Sequence, residues 1–296
     1  VRPDPAALPV PADELPALAD LALELAEEAG ELVRDERPVE LGVAATKSSA
    51  TDVVTVMDQR SQDLLLRRVG QHRPEDAFHG EESGGRSGSS GLTWVVDPID
   101  GTVNYLYGIA AYAVSVAVVV GDPAVPGGWH PVAGAVVNPV SEERYQAALG
   151  HGATRAVGSD APAPLDVGAG PDAGLPVALL GTGFGYEAGR RAWQGQVAAR
   201  MLPRVRDIRR LGSAALDLCR VADGSLDAYY ERGLNPWDLA AGWLVATEAG
   251  ARVTDLSGGD PRTAMTVAGP PRLHEELLGA LTEVLAEVGE EPAEGR

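Results

Sequence analysis

Two aspartates set three residues apart, Asp97 and Asp100, stand in the stretch Trp94-Val95-Val96-Asp97-Pro98-Ile99-Asp100-Gly101-Thr102. An apolar, strand-like approach runs into them and supplies no charge of its own. An ordinary turn needs one Asp or Gly, so the second carboxylate asks for another use. Pro98 fixes the backbone and is expected to return Asp100 to the side of the turn that carries Asp97. Gly101 allows close approach of a ligand, and Thr102 is expected to open a short helix whose free N–H groups can hold phosphate.

Two other places put acids at element ends. In Ala77-Phe78-His79-Gly80-Glu81-Glu82-Ser83 a short apolar segment ends in adjacent glutamates. In Leu234-Asn235-Pro236-Trp237-Asp238-Leu239-Ala240-Ala241-Gly242, Asn235 suits a helix N-cap, Pro236 the first helical position and Asp238 the first turn. Capping alone accounts for Asp238, and a charged loop alone accounts for Glu81 and Glu82. Hard divalent cations such as Mg²⁺ take a few carboxylates, with water and substrate phosphate completing the shell.

Taken together and in this order, Gly80-Glu81-Glu82-Ser83, Trp94 to Asn104 and Trp237 to Gly242 resemble the inositol monophosphatase family of metal-dependent phosphatases. The resemblance runs roughly from Leu15 to Leu285, with Lys47-Ser48, Asp52 to Asp58 and Leu226 to Glu231 fitting further segments. It implies a layered αβαβα sandwich of α+β and α/β character, two or three Mg²⁺ ions, inhibition by Li⁺ and a homodimer. It implies that Glu81, Asp97 and the Ile99 carbonyl hold a first ion, and that Asp97, Asp100 and Asp238 hold a second. A third, weaker ion belongs on the Glu81 side. Asp58 and Thr102 are implied to activate the attacking water, with Glu82 orienting water nearby. The Gly101 and Thr102 amides are expected to take a phosphate oxygen, while Glu231 and the Ala214 backbone match contacts to inositol hydroxyls. Asn235 stands where some animal members have a histidine, so the polyol is left open. The implied activity is hydrolysis of inositol 1-phosphate or a similar small polyol phosphate. Histidinol phosphate, fructose 1,6-bisphosphate and 3′-phosphoadenosine 5′-phosphate are the alternatives, and a regulatory binding protein of the same fold is the reading from another class.

The elements that must carry these residues follow from periodicity. Leu15, Leu18, Leu21, Leu25, Ala29 and Leu32 predict an amphipathic helix over 13–36, and a second helix is expected over 58–69. Strands are expected at 39–45, 93–96, 112–120, 130–137 and 143–148, antiparallel to judge from the turns between them. Residues 83–91 read as a mobile loop. Beyond 158–176 strands (177–180, 206–210, 227–231, 252–255, 264–267) alternate with helices (187–202, 213–222, 236–249, 272–288), the α/β signature. The expected division is a flexible tail over 1–12, a lobe over 13–157 with most metal ligands, and a lobe over 158–290 with substrate contacts and the last ligand.

Composition narrows the function. A formal charge of −19 argues against a nucleic-acid footprint. No apolar run reaches the ~20 residues a membrane helix needs, and the start of the chain lacks signal-peptide character, so a cytoplasmic protein is expected. The single cysteine, Cys219, sits in an apolar pattern and reads as a buried thiol. Five scattered histidines show no zinc pattern. Gly181-Thr182-Gly183-Phe184-Gly185 lacks dinucleotide spacing. Arg204, Arg206, Arg209 and Arg210 read as salt-bridged alternation along a strand. Lys47 fits either a solvated lysine or one near the metal ligands.

Overall fold

The computed structural model describes residues 3, 7–39, 41–47, 53–82, 85–169 and 174–291. Ser48, Asp52, Ser83, residues 1, 2 and 4–6 of the expected tail and residues 170–173 of the 158–176 linker therefore lie outside the described residues. In chain order the elements are α1 (Leu15–Asp35), β1 (Ala45–Thr46), β2 (Val53–Val54), α2 (Val56–His72), β3 (Ala77–Gly80), β4 (Leu92–Asp100) and α3 (Thr102–Tyr107). There follow β5 (Ala113–Gly121), β6 (Trp129–Asn138), β7 (Glu143–Ala148), β8 (Gly152–Val157) and β9 (Ala163–Pro164). The second half contains β10 (Leu179–Thr182), α4 (Ala188–Met201), β11 (Asp207–Arg209), α5 (Ala214–Asp223), β12 (Ala228–Glu231), α6 (Pro236–Glu248), β13 (Arg252–Thr254), β14 (Thr266–Gly269) and α7 (Pro271–Val288).

These elements build the expected αβαβα sandwich. Helices α1 and α2 cover one face of a seven-stranded sheet ordered β3-β4-β5-β6-β7-β8-β9, antiparallel except at β3–β4. On its other face lie α5 and α6, which reach a five-stranded sheet ordered β11-β10-β12-β14-β13. Helices α4 and α7 close the far side. Being central, α6 is buried along Leu239–Ala246, as an internal layer requires. Its approach to α5 is set by Gly242, where a Cβ would stand 2.8 Å from Leu218 Cβ and 3.0 Å from the Ala215 carbonyl.

Several expectations shift for local reasons. The buried stripe of α1 is Leu15, Leu18, Ala19, Ala22, Leu25, Ala26, Ala29, Gly30 and Val33, so small residues meet the sheet while Leu21 and Leu32 flank it. Helix α2 begins at Val56 because Thr55 and Asp58 form a reciprocal capping box. The expected strand at 39–45 is confined to Ala45–Thr46. Residues 85–91, read as a mobile loop, are tied down: Arg86 exchanges backbone hydrogen bonds with Phe78, and the Ser89 and Ser90 amides donate to the Glu75 carbonyl. Leu8 and Val10, in the expected tail, pack against the first core.

The largest correction concerns Asp97 to Asp100. No turn ends the strand there: β4 continues through Pro98, and its register against β5 slips, Asp97 facing Ser115 and Asp100 facing Ala113. Three steps on β4 match two on β5, a β-bulge. On a regular strand, residues three apart point to opposite faces. The inserted residue restores both aspartates to one face, and proline is tolerated at such a bulge.

Asn104 on α3 binds this region to the second half of the chain, donating through Nδ2 to the carbonyls of Ala111 (2.6 Å) and Leu211 (2.7 Å). Substituting Asn104→Ala removes both bonds and is expected to lower stability by about 1–3 kcal/mol, read by urea denaturation.

Candidate active site

A cleft of about 340 Å³ opens between the two sheets. Glu81, Asp97, Ile99, Asp100, Gly101, Thr102, Ala214, Glu231 and Asp238 all line it, together with Lys47. Carboxylate oxygens of Asp97, Asp100 and Asp238 lie within 4.8 Å of one another. Asp97 and Asp100 come from the bulge, Asp238 from the first turn of α6, and Glu81 from the residue after β3.

Each is aimed by the local backbone. Asp97 Oδ1 accepts from the Ile99 amide at 3.0 Å. Asp100 Oδ2 accepts from the Ser213 hydroxyl and the Ala215 amide, both at 2.7 Å, which leaves its other oxygen for the cluster. Asp238 Oδ2 accepts from the Asn235 amide at 2.7 Å, so it caps the helix and joins the cluster at once. The Glu81-Glu82 segment is fixed by Gln62, whose Oε1 accepts from the Glu82 amide at 2.8 Å. Gly101, at φ 100°, abuts the Ala111 and Gly212 carbonyls, where a Cβ would stand 3.0 Å from each, so a side chain there is both strained and crowded.

Burial, and then the neighbouring carboxylates of Glu81, Asp100 and Asp238, push the Asp97 carboxyl well above the usual range. Burial with Asp100 and Glu81 does the same to Asp238. Burial raises Asp100 to about 6 against the opposing pull of Ser213 and Ala215. Glu81 is raised by burial despite Lys47, and its carboxyl lies against that of Asp97. Two carboxyls in such contact need a proton or a cation between them. An all-oxygen donor set of this kind, buried and crowded, fits a hard divalent cation.

Two expected site residues lie behind the cleft wall. Asp58 is fully buried and accepts from the Thr102 hydroxyl through Oδ1 (3.0 Å), while Oδ2 takes the Thr55 amide (2.8 Å) and hydroxyl (2.5 Å). Burial raises its carboxyl to about 6, Thr55 opposing. Glu82 is held by Lys47 Nζ at 2.6 Å, and Lys47 also reaches Glu81 at 2.7 Å. Burial would lower the Lys47 pKa, but the two glutamates outweigh it and raise it. Cys219 is buried in the core, as expected.

The cleft also takes in Phe184, Tyr186, Arg190, Arg210 and Arg232, none of them expected there. Strands β10, β11 and β12 are parallel, and Gly183, Arg210 and Glu231 stand at their carboxyl ends. Ligand clefts gather at such ends, which is the signal that could have found them. Gly183, set aside in a failed dinucleotide pattern, instead leaves the room that the Glu231 carboxyl occupies. Glu231 accepts from the Tyr229 hydroxyl, and burial raises it to about 7.

The sequence matches the inositol monophosphatase family over residues 14–286. The chain belongs to that family. Its members are phosphoric monoester hydrolases and metal-dependent, in keeping with the acidic cluster. The chain is 45% identical to the inositol-1-monophosphatase SuhB of Mycobacterium tuberculosis, covering 92% of this chain and 95% of that protein. The solved structure of M. tuberculosis SuhB superposes with a TM-score of 0.76, covering 92% of this chain and 98% of that one. An IMPase of Thermotoga maritima, 27% identical, gives 0.77 over 92% of this chain and all of the other. The Nus factor SuhB of Escherichia coli is 32% identical over 91% of this chain and 97% of its own length. Among the described residues no helix is long and apolar enough to cross a membrane.

The direction of these shifts sets the pH dependence expected of cation binding at the cluster. Raised carboxyls favour the protonated folded chain, so without metal their stabilising contribution is complete below the unfolded pKa of about 4 and is lost as pH rises through the folded value, about 6 for Asp100. A cation displaces those protons. The rise in melting temperature on adding Mg²⁺ is therefore expected to be larger at about pH 7.5 than at about pH 5, read by thermal shift.

Proposed function

We propose that this chain is a Mg²⁺-dependent phosphomonoesterase that hydrolyses inositol 1-phosphate, or a related small polyol phosphate, with water as the nucleophile. The observation that carries the reading is the convergence of Asp97, Asp100 and Asp238 within 4.8 Å at the floor of a polar cleft that Glu231 lines from the opposite sheet. Glu81, Asp97 and the Ile99 carbonyl would hold one ion, Asp97, Asp100 and Asp238 a second, with a weaker third beside Glu81. Bound Mg²⁺ supplies charge neutralisation on the phosphoryl oxygens and makes water easier to deprotonate.

The chain's own residues do the rest. The Thr102 hydroxyl donates to Asp58 Oδ1, so its oxygen is available to accept a hydrogen bond from water in the cleft. Asp58, raised toward neutrality by burial, is suited to take up a proton through Thr102. Lys47 holds Glu81 and Glu82 in place, and Glu82 acts through that contact. The Gly101-Thr102 backbone would receive a phosphate oxygen. In the second half of the chain, Glu231 and the Ala214 backbone would bind polyol hydroxyls, Glu231 as donor or acceptor near neutral pH. Li⁺ inhibition, homodimeric assembly and a cytoplasmic location accompany this reading on the strength of the family.

The name of the E. coli relative raises a second reading, a regulatory protein bound to a partner. The complete carboxylate set favours catalysis, and a stable partner captured independently of Mg²⁺ would favour regulation. Phosphate release from a panel of inositol, histidinol, fructose bis- and adenosine phosphates, with and without Mg²⁺ and Li⁺, decides the substrate. Asp100→Asn is expected to lose more than the roughly 100-fold that loss of an outer partner costs, with the fold intact by circular dichroism. A fully active Asp100→Asn enzyme would overturn the assignment.

A further inference from the structure

Four cationic side chains line the cleft: Lys47, Arg190, Arg210 and Arg232. Three are already committed to carboxylates. Lys47 is held by Glu81 and Glu82, and Arg190 and Arg232 share Glu291. Arg210 makes no hydrogen bond and no ion pair among the described residues, and it is exposed. Its neighbours in the basic run are engaged elsewhere: Arg204 pairs with Glu283 at 2.7 Å, Arg209 with Asp207 at 2.5 Å, and Arg206 donates to the Val177 carbonyl at 2.8 Å. The salt-bridged alternation along a strand expected for this run holds only at Arg209: Arg204 lies in the turn over Leu202–Arg204, Arg206 precedes β11 and bonds a carbonyl, and Arg210 follows the strand with no such partner among the described residues.

The backbone makes room for that guanidinium. Gly212, at φ 98°, has Arg210 Nη1 where a Cβ would otherwise stand. The Gly212 carbonyl in turn borders Gly101, 3.0 Å from the place of its missing Cβ. Arg210 is therefore laid back along the segment that forms the substrate side of the cleft. The carboxyls of Glu231, Asp100 and Asp217 feel its charge, but none is hydrogen-bonded to it, and Asp100 is held by Ser213 and Ala215. Glu231 takes the Tyr229 hydroxyl, and Asp217 is buried, 1% exposed, under α5. A guanidinium presents a planar fork of donors that matches carboxylate and phosphate, whereas a neutral hydroxyl uses little of it.

We propose that Arg210 is a specificity-determining residue that binds a second anionic group, a carboxylate or a phosphate, on the polyol part of the substrate. The preferred substrates are then acidic phosphorylated polyols or sugars. This rests on the phosphomonoesterase reading above and narrows its substrate class.

The test uses substrates of one carbon skeleton: glucitol 6-phosphate, 6-phosphogluconate and glucitol 1,6-bisphosphate. The wild-type chain with Mg²⁺ is expected to prefer the two acidic compounds by kcat/KM, and the two arms separate carboxylate from phosphate. In Arg210→Gln the ratio of acidic to neutral kcat/KM is expected to fall about 10- to 100-fold, mostly through KM, with partial recovery in Arg210→Lys. A ratio that does not change in Arg210→Gln, or an equal loss on all three substrates, overturns the role of Arg210. Wild-type preference for glucitol 6-phosphate does so as well. Absence of Mg²⁺-dependent phosphate release from every substrate removes the underlying reading too, and so is distinguishable from failure of this inference alone.

Discussion

Crowding of like charge is the constraint on which the rest of this structure depends. Asp97, Asp100, Asp238 and Glu81 are brought together at the floor of the cleft, where burial pushes each carboxyl upward and, at Asp97, Asp238 and Glu81, neighbouring carboxylates add to it. Such an arrangement opposes folding unless protons or cations intervene. The surrounding structure overdetermines it. A bulge in a central strand, the N-termini of α5 and α6, and the Lys47 contact each hold one member in place.

The layering explains why these four can meet although they are far apart in sequence. Helices α5 and α6 are shared between the sheets, so their N-terminal ends open into the gap where β4 bulges. Gly242 sets how closely those helices cross, and Asn104 links the α3 region to the Leu211 segment. The acidic floor comes mainly from the first sheet and the opposite wall from the ends of β10, β11 and β12. The two sides are coupled, since the Ser213-Ala215 segment at the start of α5 both borders the cleft and holds the Asp100 carboxylate.

Much of this was legible in the sequence, and the failures are instructive. Asp-Pro-Ile-Asp-Gly-Thr, Gly-Glu-Glu and Trp-Asp each combine residues whose local roles and site roles coincide, as Asp238 shows by capping α6 while joining the cluster. The bulge was not legible, because a proline between two acids reads locally as a turn, and only pairing with β5 reveals that the strand continues. Thr55 with Asp58 carried a capping-box signal three residues apart that sets where α2 begins. Arg210 was hidden by its neighbours: four arginines in one short run share a composition, and only their tertiary partners separate them.

The central claim is that Asp97 is shared by two cations rather than by protons. Electron paramagnetic resonance of the chain titrated with Mn²⁺ in place of Mg²⁺ addresses it directly. The account predicts a spin-coupled Mn²⁺ pair that is lost in Asp97→Ala. Magnetically isolated ions in the wild-type chain, or a coupled pair that survives Asp97→Ala, would contradict it.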